Sequence, residues 1–270
     1  MDAVPLWLLG SGLALVLVLL VEVGYRLYAR LGTNAGAASG GENWWQIGGI
    51  SLNLLCLLLA FTVSIAAGRF EQRRVLVVDE ANAISTTYLR AQMFGEPARG
   101  RLSALISQYA RERRDDSLPP ADRAAVARGE AQADSLQAGI WVAARSAVHQ
   151  QADSSMTTPF LQATNQMFDL AVTRQASMQI RIPGRIVLVL VTFSMITAII
   201  VGASRASVGP RQPVVTTLVV VMIAATIGLI VDLDRPRSGR IVVPQAQLDR
   251  VSAEIARSEA ANTVTQTPPR

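Results

Sequence analysis

The amino-acid sequence predicts an all-α membrane protein with four transmembrane helices and a helical cytoplasmic domain inserted between the second and third. Three observations predict it. Four apolar runs, approximately Val4–Val21, Ile47–Ala67, Ile186–Ala203 and Val214–Val231, reach the roughly 18–20 residues that cross about 30 Å of hydrocarbon at about 1.5 Å per residue. Half of the 270 residues are apolar and the mean hydropathy is +0.32, yet 17 % are charged, so apolar and charged stretches are segregated along the chain. Between the second and third runs the sequence turns polar while its apolar residues keep helical spacing. The resulting division is 1–67 for spans one and two, 68–184 for the cytoplasmic domain, 185–232 for spans three and four, and 233–270 for a cytoplasmic tail.

The first run is read as a retained span. No basic residue precedes it and no small-x-small cleavage site follows before Arg26, as a secretory signal would require. Tyr25 and Tyr28 after this run, and Trp44 and Trp45 before the second, sit where aromatic belts meet the headgroups. Orientation follows from the arginines near the span ends. One side holds Arg69, Arg73, Arg74, Arg174, Arg181, Arg185, Arg235, Arg237 and Arg240, and the other only Arg26, Arg30, Arg205 and Arg211. The excess of positive charge places both termini and the middle segment in the cytoplasm of a cell-membrane protein.

No proline or glycine pair interrupts the chain after the second run, so one helix is expected from about Trp44 through Arg69 to Met93. Leu102, Leu105, Ile106 and Tyr109 then follow helical spacing, as do Ile140, Ala144 and Ala147, and Phe160, Ala163, Met167 and Leu170. Breaks are expected at Gly95–Pro97, Ser117–Pro120 and Asp153–Pro159. Ile241–Val243 is expected as one short strand, and the chain beyond about Ala260 as disordered.

Three groups of residues are candidates for function. On the second span Gln46, Gly49, Asn53, Cys56, Ala60 and Ser64 recur every three or four residues, a small and polar stripe beside large apolar side chains. Close helix packing accounts for such a stripe, and so does a pore wall in an oligomer with Asn53 near mid-membrane. The second group is Asp79, Glu80, Asn82, Thr86, Thr87 and Arg90, dense in polar groups but without His or Cys. Adjacent helical positions diverge by about 100°, so Asp79 and Glu80 do not share a catalytic task. A hydrogen-bonded packing seam and a ligand- or ion-sensing role both remain open for them. The third group, Asp232, Asp234, Arg235 and Arg237, follows the last span. Its carboxylates suit pairing with the arginines better than a calcium cage, which takes several unpaired oxygen ligands.

Composition also excludes classes. The charge of +5 and pI near 10.3 could suggest nucleic acid, but every basic residue is Arg and none is Lys. Such complete replacement reads as a coding bias, so no nucleic-acid partner is assigned and no Arg is read as chosen for bidentate chemistry. One Cys and one His supply no metal cage. No P-loop, GxSxG, HExxH or dinucleotide motif is found, so neither an enzyme nor a cofactor is expected. No acid or base lies deep in a span, against a proton-coupled transporter.

The segment Val78–Arg90, together with Leu233-Asp234-Arg235-Pro236-Arg237-Ser238-Gly239, resembles the bacterial bestrophin-like domain family of membrane proteins, from about Trp44 to Leu248. The resemblance implies a bestrophin-like arrangement: a four-span, pentameric, anion-conducting channel whose second span lines the pore and continues into a cytoplasmic helical region. Two departures stand out. Bestrophin necks carry bulky hydrophobic rings where the stripe here is small and polar, and animal bestrophins bind calcium through an acidic cluster that here shrinks to Asp232 and Asp234. The expectations are therefore a homo-oligomer in the lipid bilayer passing small anions, or else a non-conducting scaffold or sensor that binds a partner through its cytoplasmic helices.

Overall fold

The computed structural model describes residues 6–31, 40–115, 123–150, 155–208, 213–235 and 241–265. Among them are eight α-helices and no strand: α1 (Leu6–Leu31), α2 (Gly40–Ala91), α3 (Ala98–Asp115), α4 (Arg123–Gln150), α5 (Thr157–Gln179), α6 (Gly184–Val208), α7 (Pro213–Leu233) and α8 (Ala246–Thr265). Four segments, within α1, α2, the α5–α6 stretch and α7, are long and apolar enough to cross a membrane. The apolar run of the third segment lies in α6, because Pro183 cannot continue α5 and helix resumes at Gly184. Much of the apolar surface of these helices is uncovered within the chain: Leu15, Ile50, Leu188, Met222 and Val214 are 63 to 71 % exposed. Lipid or another protein surface must cover so much exposed hydrocarbon.

The chain divides into two compact units, Met1–Phe70 with Arg181–Ile241, and Glu71–Ile180 with Val242–Arg270. In the first, Leu55, Leu59 and Ala66 of α2 meet Leu190 of α6 and Ile227 and Ile230 of α7. A second apolar cluster joins Leu17 of α1 to Ala198 of α6 and Val220 and Ala224 of α7. The tightest approach is between α1 and α6. A Cβ on Gly24 would fall 2.1 Å from the carbonyl oxygen of Ile199, and one on Gly202 would fall 2.1 Å from that of Val21. Hydrophobic burial gives little drive to pair helices in lipid, so small residues that let backbones touch hold such a crossing.

In the second unit α2 and α5 each present one apolar stripe, Val77, Ala81, Ile84 and Tyr88 on the former, Phe160, Ala163, Met167 and Ala171 on the latter. The α5 stripe ends on Ala171 instead of the expected Leu170, which is half-buried. Phe94 and Phe160 stack edge to face at 5.0 Å. The break expected at Asp153–Pro159 ends sooner, since α5 starts at Thr157 and Pro159 lies in its first turn, where no backbone N–H is required. The break at Ser117–Pro120 lies outside the described residues.

Two C-terminal expectations are corrected. Ile241–Val243 forms no strand: the Ile241 N–H donates to Asp232 Oδ2 at 3.1 Å, and the Val243 carbonyl accepts from Gln245 Nε2 at 3.0 Å. With these groups satisfied by side chains, a ladder partner is not needed. The chain past Ala260 is helical as far as Thr265. Leu248, Val251, Ser252 and Ile255 give α8 a buried stripe, and Ser107 of α3 donates to Glu259 at 2.8 Å.

The α1–α6 crossing yields the first prediction. Gly24→Ala forces a methyl against backbone and should cost about 1–3 kcal/mol, whereas Gly12→Ala, with nothing within 4 Å, should leave stability nearly unchanged. Thermal unfolding in detergent reads the difference, and equal midpoints would contradict the crossing.

Candidate functional site

The first 31 residues of α2 present three arcs. One is packed: Gly48, Leu55, Leu59, Thr62 and Ala66 are buried in the first unit. The candidate stripe is centred about 130° around the helix from that seam, counting about 100° per residue. Gln46, Gly49, Asn53, Cys56, Ala60 and Ser64 are all exposed in the single chain. Large side chains, Ile50, Leu54, Leu57, Phe61 and Ile65, fill the third arc. Gly49 borders a cleft among α1, α2, α6 and α7; the other five stripe residues are exposed without a part in the packed seam, so packing within one chain does not account for the stripe.

The aromatic anchors meet partners near the helix start. Trp44 stacks edge to face on Tyr28 at 5.8 Å, and the Arg205 guanidinium lies 5.8 Å from the centre of the Trp45 ring. Glu22 accepts from Arg26 Nε at 2.7 Å, the i,i+4 pair that the spacing suggests.

In the second unit the polar motif divides by face. Asp79, Asn82 and Thr86 are exposed, while Glu80 and Thr87 are fully buried. Thr87 returns its hydroxyl to the Ala83 carbonyl at 2.8 Å, and Arg90 donates to the Pro159 carbonyl. Glu80 is clasped by two arginines. Arg113 Nε of α3 lies 2.6 Å from one carboxylate oxygen and Arg174 Nε of α5 lies 2.6 Å from the other, all three side chains being at most 5 % exposed. Tyr109 lies against this triad and accepts from Gln137 Nε2 at 3.2 Å. Burial pushes the Tyr109 hydroxyl above its ordinary value of 10.0; Arg113 opposes this and Glu80 reinforces it. A third arginine, Arg73, is 2 % exposed. It donates to the carbonyls of Ser177 and Ile180 at 3.2 and 2.7 Å, placing a cation at the C-terminal end of α5.

Composition hid these arginines, but the pattern carried a signal. Arg113 is the next position of the stripe Leu102, Ile106, Tyr109, and Arg174 the next after Phe160, Met167 and Ala171. An arginine in register with a buried stripe needs a buried acceptor, and Glu80 is the acid in register on α2.

After α7 each carboxylate accepts a backbone amide. Asp234 Oδ1 accepts the Ile182 N–H at 2.8 Å, and Asp232 Oδ2 accepts that of Ile241. Arg235 is buried, and Arg237 lies outside the described residues. Each carboxylate thus fixes the backbone of a connection next to a membrane helix. No cluster of three His, Cys, Asp or Glu side chains suited to a metal occurs among the described residues.

The profile of the bestrophin-like domain family matches residues 53–248. The chain belongs to the bestrophin-like family. That match begins at Asn53 of the stripe and takes in the triad and the carboxylates after α7. No curated protein sequence matches the chain. Solved structures do. A bacterial bestrophin homologue from Klebsiella pneumoniae, solved by Zn-SAD phasing, is similar with a TM-score of 0.62 at 14 % identity, over 92 % of this chain and 97 % of that one. A point variant of a Klebsiella pneumoniae homologue gives 0.63 at 16 % identity, over 91 % and 97 %. A point variant described only as a membrane protein gives 0.69 at 13 % identity, over 92 % and 97 %. At these identities the likeness is one of fold, shared along nearly the whole chain.

Removing one member of the triad leaves a buried charge uncompensated. Glu80→Ala should therefore lower stability by about 3–5 kcal/mol, while Asp79→Ala, one residue away and exposed, should cost under about 0.5 kcal/mol. Chemical denaturation of the two variants in detergent checks this. Equal losses would contradict a division by face.

Proposed function

We propose that this bestrophin-like protein assembles as a ring of identical chains, pentameric by analogy with bestrophins, that conducts small anions across the cell membrane. The stripe of α2 would form the pore wall. The observation that carries this reading is the exposed polar arc: Gln46, Asn53 and Ser64 lie on a helix long and apolar enough to span hydrocarbon, yet none is buried against its own chain. A helical serine can return its hydroxyl to its own backbone, but hydrocarbon offers the amides of Gln46 and Asn53 no partner, so water or a neighbouring subunit supplies one. A ring brings one copy of α2 per chain to a common axis and meets both needs. The arginine excess around residues 68–184 supports a cytoplasmic position for that segment and for both termini. It would also raise the local concentration of anions at the pore mouth.

A second reading draws on Asp79, Asn82 and Thr86, which are exposed on one face of α2 in the second unit. They would be the docking face of a non-conducting scaffold or sensor.

Chloride efflux from proteoliposomes separates the two. A channel should pass chloride, and Asn53→Leu should cut the flux at least about tenfold, because a ring of leucines dewets a narrow pore. Under the scaffold reading there is no flux in any ligand or pH condition, and substitutions at Asp79, Asn82 or Arg90 alone disturb function.

A further inference from the structure

The membrane unit holds two adjoining clefts, of about 180 and 120 Å3, that share Val21, Thr216, Val220 and Arg205. The smaller is walled by side chains from four helices: Leu17 of α1, Leu52 of α2, Val201 of α6 and Ile223 of α7. Both are predominantly apolar, and at one end of each stands the guanidinium of Arg205. Along α6 the smaller cleft extends from Arg205 to Ser194. At about 1.5 Å per residue that is roughly 16 Å, about half the thickness of the bilayer hydrocarbon.

We infer that this cleft is a binding site for one anionic lipid, whose acyl chain lies along α6 and whose charged head pairs with Arg205. Three features argue for that occupant. The length matches the chain of a single leaflet, and the walls are as apolar as the chain. The cation stands beside Trp45, an aromatic side chain of the kind that anchors at headgroup level, with the guanidinium over its ring. A guanidinium presents a fork of donors that fits a phosphate or a carboxylate. Glu22 also lines the larger cleft, but its carboxylate is engaged by Arg26. Thr197 marks the deep part. Its side chain is 2 % exposed, its hydroxyl has no partner among the described residues, and it faces the stretch that the acyl chain would fill. The site is independent of whether the protein conducts.

Native mass spectrometry of the delipidated full-length protein, reloaded with phosphatidylglycerol, phosphatidylcholine or oleate, tests the assignment. One phosphatidylglycerol should be retained per chain in preference to phosphatidylcholine. Arg205→Gln should lose that preference by about tenfold, the loss of one charge-assisted contact, and Arg205→Lys should keep most of it. Thr197→Val should retain lipid as well as the parent or better, since an apolar chain prefers the methyl. Competition by oleate for the same site would make a free fatty acid the natural occupant, and its failure to compete would make it a phospholipid. Equal retention of phosphatidylcholine, indifference to Arg205→Gln in a protein that elutes as the parent does, or loss of lipid in Thr197→Val would each overturn the proposal.

Discussion

A polar side chain on a membrane helix that makes no bond to its own backbone must meet water, another helix or a bound group, because hydrocarbon gives it no partner. The α2 helix places Gln46, Asn53 and Ser64 under that constraint on a single exposed arc. The packed arc, through Leu55, Leu59 and Ala66, ties α2 to α6 and α7 and so fixes which way the polar arc points. The large apolar arc, through Ile50, Leu57 and Phe61, is suited to lipid or to the flank of a neighbour.

The same helix obeys a different rule beyond residue 70. There α2 buries Glu80 between Arg113 and Arg174, so three helices of the second unit are locked by one charged cluster. A buried ion cluster of this kind contributes little to stability over an apolar core of the same shape, because desolvation offsets much of the attraction. What it does contribute is register. Glu80 reaches both partners only if α2, α3 and α5 meet at the right turn, and Arg73 sets the end of α5 in the same way through the Ser177 and Ile180 carbonyls. The cluster is therefore best understood as a positional key for the helices, and Asp79 next to it, turned outward, plays no part in it.

The helical class and the apolar runs were legible because both rest on local periodicity and length. The long α2 was legible too, since no proline or glycine pair follows the second apolar run before Gly95; expected from about Trp44 to Met93, it spans Gly40 to Ala91. What escaped was long-range pairing. Glu80 and Arg113 stand 33 residues apart, and in a chain whose 25 basic residues are all arginine no single one announces a buried role. The backbone amides that Asp232 and Asp234 accept after α7 were not legible either, since that pairing is set by how the chain turns there and not by composition. The helix at Ala246–Thr265 was missed because its stripe is short and mixes Ser252 with Leu248, Val251 and Ile255. Its buried stripe and the hydrogen bond from Ser107 of α3 to Glu259 hold it in the second unit.

Cys56 offers the most direct test of where the polar arc faces, being the only cysteine of the chain and one of the exposed stripe residues. In proteoliposomes, a charged, membrane-impermeant thiol reagent should reach Cys56 through water and reduce chloride efflux, with Cys56→Ser unaffected. Modification of Cys56 by a lipid-soluble maleimide alone, with the charged reagent excluded, would put the arc against lipid and contradict the account.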